Sequence, residues 1–209
     1  MTDILPLLFV TPEDLPPKVI VSRAQEAVSG GVSAVVIRRK SGPARDFLDL
    51  GYLMRDSLGD NFPILVNTRM DLALSIHAMG VHLPEDHLPL DAIREKAPEH
   101  FLVGVSCHSV KSVLKAAREG ADYVFFGPVY ETPSKVAYGP PQGLSLLEQV
   151  VREAGIPVIA IGGIHQGNIE SVRKTGSAGV AIIADLAYSA DPKAKSFSLR
   201  GGWTRGCMA

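Results

Sequence analysis

Eight short apolar runs, separated by stretches with helical spacing, constrain this chain more than any other feature. The runs are residues 4–10, 33–37, 63–66, 79–83, 101–105, 122–126, 157–161 and 178–183. Rich in Val and Ile and without strict alternation, they read as strands buried on both faces. The segments between them read as helices. Residues 17–29 set Val19, Ile20, Ala24, Ala27 and Val28 on one stripe, and 109–118 set Val110, Val113, Leu114 and Ala117 on another, with Ser109 as N-cap. Leu144, Leu147 and Val151 make a similar face, as do Ile169 and Val172. Glycines at Gly30-Gly31, Gly120, Gly155 and Gly176 close helices just before the next strand. Strand and helix in strict alternation predict a parallel sheet. Eight units of about 26 residues predict an α/β fold, a single-domain (β/α)8 TIM barrel. The competing doubly wound sheet carries fewer strands, and no GxGxxG follows the first run. The domain is expected over 1–197, with 198–209 as an irregular tail, because Gly201-Gly202-Trp203 continues no periodicity.

Composition narrows the partners. With 21 Lys and Arg against 22 Asp and Glu, the net charge of −1 gives no electrostatic case for nucleic acid or a membrane surface. Any anion recognition must be local. Cys107 and Cys207 form no CxxC pair, so a thiolate zinc site or disulfide framework is not expected. The N-terminus lacks a basic segment followed by an apolar run, and a cytoplasmic location is the expectation. The oligomeric state is not legible; a homodimer is left open.

In a barrel, chemistry belongs at the carboxyl ends of the strands. That filter selects Arg38-Arg39-Lys40, Asn67, His82, Ser106-Cys107-His108, the loop from Gly127, Gly162-Gly163 and Ala184-Asp185. Alternation predicts that Arg38 and Lys40 face one way and Arg39 the other. Two cations at the mouth would hold an acidic substrate, though a solvated surface cluster is the plain alternative. Gly162-Gly163 before a helix suits a phosphate held by backbone N–H groups, or simply a tight turn. His108 has an imidazole suited to moving protons near neutral pH, or is an ordinary loop residue. The loop 127–144, with Thr132, Ser134 and Lys135, is long enough to close over an anionic ligand. His82 reads as structural. His77, His87, His100 and His165 have no partners at metal-like spacing, so no metal site is expected.

Residues 104–144 and 156–164, supported by 66–74 and 80–83, together resemble the thiamine phosphate synthase/TenI superfamily of small barrels. The resemblance runs from about residue 4 to 190. It implies, for a synthase, Gln-Leu-Arg-Glu-Lys after the second strand, where this chain has Val36-Ile37-Arg38-Arg39-Lys40. It implies Asn-Asp after the third strand, the Asp binding magnesium, where this chain has Asn67-Thr68. It implies a second magnesium carboxylate after the fourth, where Pro84-Glu85-Asp86-His87 ends in His87. With both carboxylate positions changed, the expectation leans to a thiazole tautomerase of the TenI type. This would be an isomerase that aromatises a small phosphorylated thiazole carboxylate by proton transfer at His108. Under that resemblance Arg38, Lys40, Asn67, Ser106, Thr132, Ser134 and Lys135 bind substrate, and Gly162, Gly163, Ile183 and Ala184 bind its phosphate. No cofactor is expected. Magnesium enters only under the alternative, a thiamine phosphate synthase joining hydroxymethylpyrimidine pyrophosphate to thiazole phosphate; a non-catalytic phosphate-ligand binder is the third reading.

Overall fold

A computed structural model describes residues 6–132 and 140–204. All eight apolar runs form strands: β1 (Leu7–Val10), β2 (Ala34–Ile37), β3 (Ile64–Asn67), β4 (Gly80–Leu83), β5 (Leu102–Cys107), β6 (Tyr123–Phe126), β7 (Val158–Ile161) and β8 (Gly179–Ile182). Each pairs in parallel with its neighbours in sequence, and β8 returns to β1, closing the barrel. This is the expected (β/α)8 architecture.

The helices between strands are α1 (Pro17–Ser29), α2 (Ala44–Leu58), α3 (Met70–Ser75), α4 (Leu90–Lys96), α5 (Val110–Arg118), α6 (Gly143–Glu153) and α7 (Ile169–Lys174). After β8 come a one-turn α8 (Ala184–Ala187) and α9 (Pro192–Thr204). Among the described residues, no helix is long and apolar enough to cross a membrane.

Because side chains alternate along a strand, each one feeds two cores. Leu8, Val10, Ala34, Val36, Leu65, Leu102, Tyr123, Phe125, Ile159 and Ala181 fill the barrel interior. Leu7, Phe9, Val35, Ile37 and their equivalents pack outward against the helices. Gly104 lies opposite Tyr123 in the β5–β6 register. A Cβ there would stand 2.1 Å from the Tyr123 ring, so the missing side chain is what admits a tyrosine to the barrel centre.

One expectation is corrected. Of the tail expected to be irregular over 198–209, residues 198–204 are helical, inside α9, and 205–209 lie outside the described residues. Ser196 and Leu199 of α9 are fully buried, and the helix lies close against the end of α1, where a Cβ on Gly30 would stand 2.2 Å from Lys193 O and 2.7 Å from Ser196 Cβ. Tertiary packing has overridden the weak intrinsic propensity of Gly201-Gly202.

Candidate functional site

The barrel mouth is lined by the residues that continue the inward-facing rows. Val36 faces the interior and Arg38 follows two residues on, while Lys40 is exposed beyond the strand; Asn67 pairs in register with His82, and Ser106 with Phe125. The end of β2 is held by a residue the sequence reading passed over. Thr11, fully buried after β1, accepts the Arg38 backbone N–H at 2.9 Å and donates to the Arg38 carbonyl at 3.4 Å. Glu13, two residues on, places a carboxylate oxygen 3.7 Å from the Arg38 guanidinium and accepts the Lys40 backbone N–H. Arg39 turns to the other side and faces Asp46 of α2 at 3.9 Å, as alternation predicts. Thr11 and Glu13 follow the first strand, so the strand-end rule that selects Arg38 selects them as well.

Ser106 and His108 end β5. His82, fully buried, lies 2.9 Å through Nε2 from Ser106 Oγ, and 3.3 Å through Nδ1 from Tyr123 Oη. Its burial makes it structural in position, as read, yet it sits directly against a rim residue. His108 is exposed, and its Nδ1 bonds to the Gly127 carbonyl. A carbonyl only accepts, so Nδ1 carries a hydrogen, and no hydrogen bond joins Nε2 to another of the described residues. The ring stands next to a well-made helix start: Ser109 caps α5 by accepting from Ser112 N at 3.1 Å, and the His108 N–H donates to Ser112 Oγ at 3.2 Å. Cys107 faces outward into the helix layer, and burial pushes its thiol up to about 12. It is no nucleophile.

Gly162 and Gly163 leave β7 with φ of 100° and 64°. A Cβ on Gly163 would stand 2.6 Å from the Glu131 carbonyl, and one on Gly162 2.6 Å from Pro128 Cα. Val129 N–H donates to Ile161 O at 2.9 Å, and Tyr130 N–H to Gly162 O at 3.0 Å. The glycine pair therefore has a packing duty: it lets the β6–α6 loop lie flat on the end of β7. Asn168 fixes the following turn, donating to Gly163 O at 2.9 Å and accepting His165 N–H at 2.8 Å. Ile183 is the N-cap of α8 and Ala184 its first residue, at the adjoining strand end. Tyr188 donates to Asp14, which ties this end of the barrel to the β1–α1 loop and pushes the phenol up to about 12. Thr132 lies partly buried at the start of the long loop; Ser134 and Lys135 lie outside the described residues.

The two positions at which a magnesium carboxylate was implied do not fit that ion. Thr68 Oγ1 accepts from Asn67 Nδ2 at 2.7 Å, and His87 Nδ1 faces the Leu88 carbonyl at 2.5 Å. Magnesium takes hard oxygen ligands, carboxylate foremost. Among the described residues, no three His, Cys, Asp or Glu side chains gather as a metal-holding group. No step is assigned to the ion. Titration calorimetry of the ligand-free protein with magnesium should show no saturable heat; a stoichiometric site would mean that Glu85 or Asp86 has taken over.

Fold and rim together define a (β/α)8-barrel protein with its working face at the carboxyl ends of the strands. The chain belongs to the thiamine monophosphate synthase family, which matches residues 7–186. It is 43% identical over 175 residues to a putative thiamine-phosphate synthase of Geobacter sulfurreducens, covering 83% of this chain and 82% of that protein. It is 34% identical over 187 residues to the thiamine-phosphate synthase of Syntrophomonas wolfei, covering 89% and 90%. The solved thiamine phosphate pyrophosphorylase of Pyrococcus furiosus superposes with a TM-score of 0.88 at 32% identity, over 98% of both chains.

These relatives correct the expectation of a TenI-type thiazole tautomerase, and of an isomerase with it. The sequence reading took the change of two carboxylates as the loss of diphosphate chemistry. Two ligand positions do not decide that, because cationic side chains also offset a diphosphate's charge.

Proposed function

We propose that the protein is a transferase, a thiamine-phosphate synthase that joins hydroxymethylpyrimidine pyrophosphate to thiazole phosphate. The observation that carries this reading is the likeness to a solved thiamine phosphate pyrophosphorylase along 98% of both chains. The rim supports it. One substrate brings a diphosphate and the other a phosphate, and the mouth offers two anion stations on separate arcs. Arg38 and Lys40 end β2; the Gly162-Gly163 pair and the Ile183-Ala184 backbone end β7 and β8, with β1 between.

In this reading the bond from the pyrimidine methylene to the diphosphate oxygen breaks and the oxygen keeps the electron pair. The thiazole nitrogen supplies the pair for the new C–N bond and becomes a thiazolium. No carbon-bound proton has to move, so His108 is no longer needed as a carbon base. Its Nε2 instead hydrogen-bonds the substrates beside Ser106 in this reading. Arg38 and Lys40 offset the charge that grows on the leaving diphosphate. Backbone N–H groups of Gly163, Ile183 and Ala184 hold the thiazole phosphate, and Asn67, Ser106 and Thr132 contact the substrates between the two stations.

Steady-state kinetics with each substrate varied in turn tests the division of labour. Ala184→Asp puts a negative charge at the phosphate station and should raise KM for thiazole phosphate by about tenfold or more. KM for the pyrimidine substrate should change little. An equal rise for both substrates would refute two separate stations.

A further inference from the structure

Beneath the mouth, three polar side chains stand in line inside an otherwise apolar barrel. Tyr123 and His82 are fully buried, and Ser106 alone is partly exposed, at the upper end. Tyr123 Oη is 3.3 Å from His82 Nδ1, and His82 Nε2 is 2.9 Å from Ser106 Oγ. The imidazole also packs on Phe125, with ring centroids 3.9 Å apart. Gly104 provides the space in which the Tyr123 ring lies.

Burial pushes the His82 imidazole down to about 3, so it is neutral near pH 7 and carries one hydrogen. That hydrogen has two possible places. If it is on Nδ1, it points at Tyr123, and Nε2 accepts the Ser106 hydroxyl hydrogen. The phenolic hydrogen then has no acceptor among the described residues, deep in the barrel. If it is on Nε2, Tyr123 donates to Nδ1 and Nε2–H donates to Ser106 Oγ. Both buried donors, the phenolic O–H and Nε2–H, are then satisfied, and what goes unused deep in the barrel is the acceptor capacity of the Tyr123 oxygen. An unpartnered buried donor costs more than an unused lone pair, so the second arrangement prevails. It leaves the Ser106 O–H directed into the mouth.

We propose that Tyr123 and His82 are positioning residues that fix Ser106 as a hydrogen-bond donor, so that the ligand atom seated over Ser106 is an acceptor. The proposal rests on the synthase reading only for the statement that Ser106 meets a substrate. The direction of the line is a property of the protein alone.

Two measurements test it. Long-range proton–nitrogen correlation spectra of histidine-labelled protein, with His82 assigned by its loss in His82→Gln, should show Nε2–H. The signal should not titrate between about pH 5 and 8, where exposed imidazoles do. An Nδ1–H tautomer, or a His82 that titrates in that range, overturns the proposal whatever the reaction is. In kinetics, Tyr123→Phe keeps the ring and removes the donor, and should lower kcat by about tenfold with KM little changed. Ser106→Ala should lose at least as much, and adding Tyr123→Phe to it should cost nothing further. Full additivity of the two losses would mean that Tyr123 merely supports the fold. If no synthase turnover is found at all, the synthase reading fails while the spectra still decide the hydrogen-bond direction.

Discussion

Arg55→Ala should lower the melting temperature by roughly 6–12 °C, for a loss of about 3 kcal/mol or more. Arg55 lies in the last turn of α2 and is only 8% exposed. Its guanidinium donates to five carbonyls: Gly59 at 3.1 Å, Asp60 at 2.9 Å, Phe62 at 2.8 Å, His77 at 2.9 Å and Ile76 at 3.4 Å. These come from the end of α2, the turn into β3 and the end of α3, so one side chain closes three chain segments. Burial pushes the guanidinium down from its ordinary value, and Asp60 pulls it back up. Removing the side chain would take a donor from all five carbonyls at once, that of the buried Ile76 among them. Arg55→Lys should recover only part of the loss, because an ammonium has three donors and no planar fork. A shift within about 2 °C by calorimetry would show that water replaces the side chain freely.

Arg38→Ala should lower kcat/KM by about 10²–10³-fold while leaving the fold intact. The side chain is partly exposed, and its backbone, held by Thr11, makes the structural bonds. Under the proposed synthase reading, what is lost is charge facing the leaving diphosphate as the C–O bond breaks. Because that charge grows toward the transition state, the effect should fall more on kcat than on KM. Arg38→Lys should restore activity in part, keeping the charge without the bidentate geometry. Arg39→Ala is the control: its guanidinium faces Asp46 on α2, and its removal should leave activity close to that of the parent. Equal losses from Arg38→Ala and Arg39→Ala would show that the two arginines contribute only general surface charge.

Strand positions were legible because a doubly buried parallel strand leaves an unbroken run of Val, Ile, Leu and Phe, and all eight runs became strands. The Ser109 cap was legible for a similarly local reason, since its partner Ser112 is three residues away. α9 was not: its glycines look like breakers, and the helix is held by packing on α1, more than 150 residues earlier, and on α7, where Gly202 lies against Ile169. At the rim, Arg38 and Arg39 were sorted correctly by period-two alternation. The Tyr123–His82–Ser106 line was hidden, because it joins residues 41 and 24 apart in sequence across three strands. His82 was read as structural from its type and place, and nothing local in GVHL announces the hydrogen bond to Ser106. The packing duty of Gly163 was equally invisible, since Glu131 approaches it from another loop.

Taken alone, the substituted positions Thr68 and His87 point to a tautomerase; the rest of the chain resembles synthases. Thr68 and His87 are real departures. They bear on how a diphosphate's charge is offset, a task the cations at the end of β2 can share.

The central claim is tested most directly by supplying the purified protein with hydroxymethylpyrimidine pyrophosphate and thiazole phosphate and following products by mass spectrometry. Thiamine phosphate and free diphosphate should appear in equal amounts, and neither should form when one substrate is withheld. Diphosphate released without the new C–N bond, or both substrates recovered unchanged, would contradict the assignment.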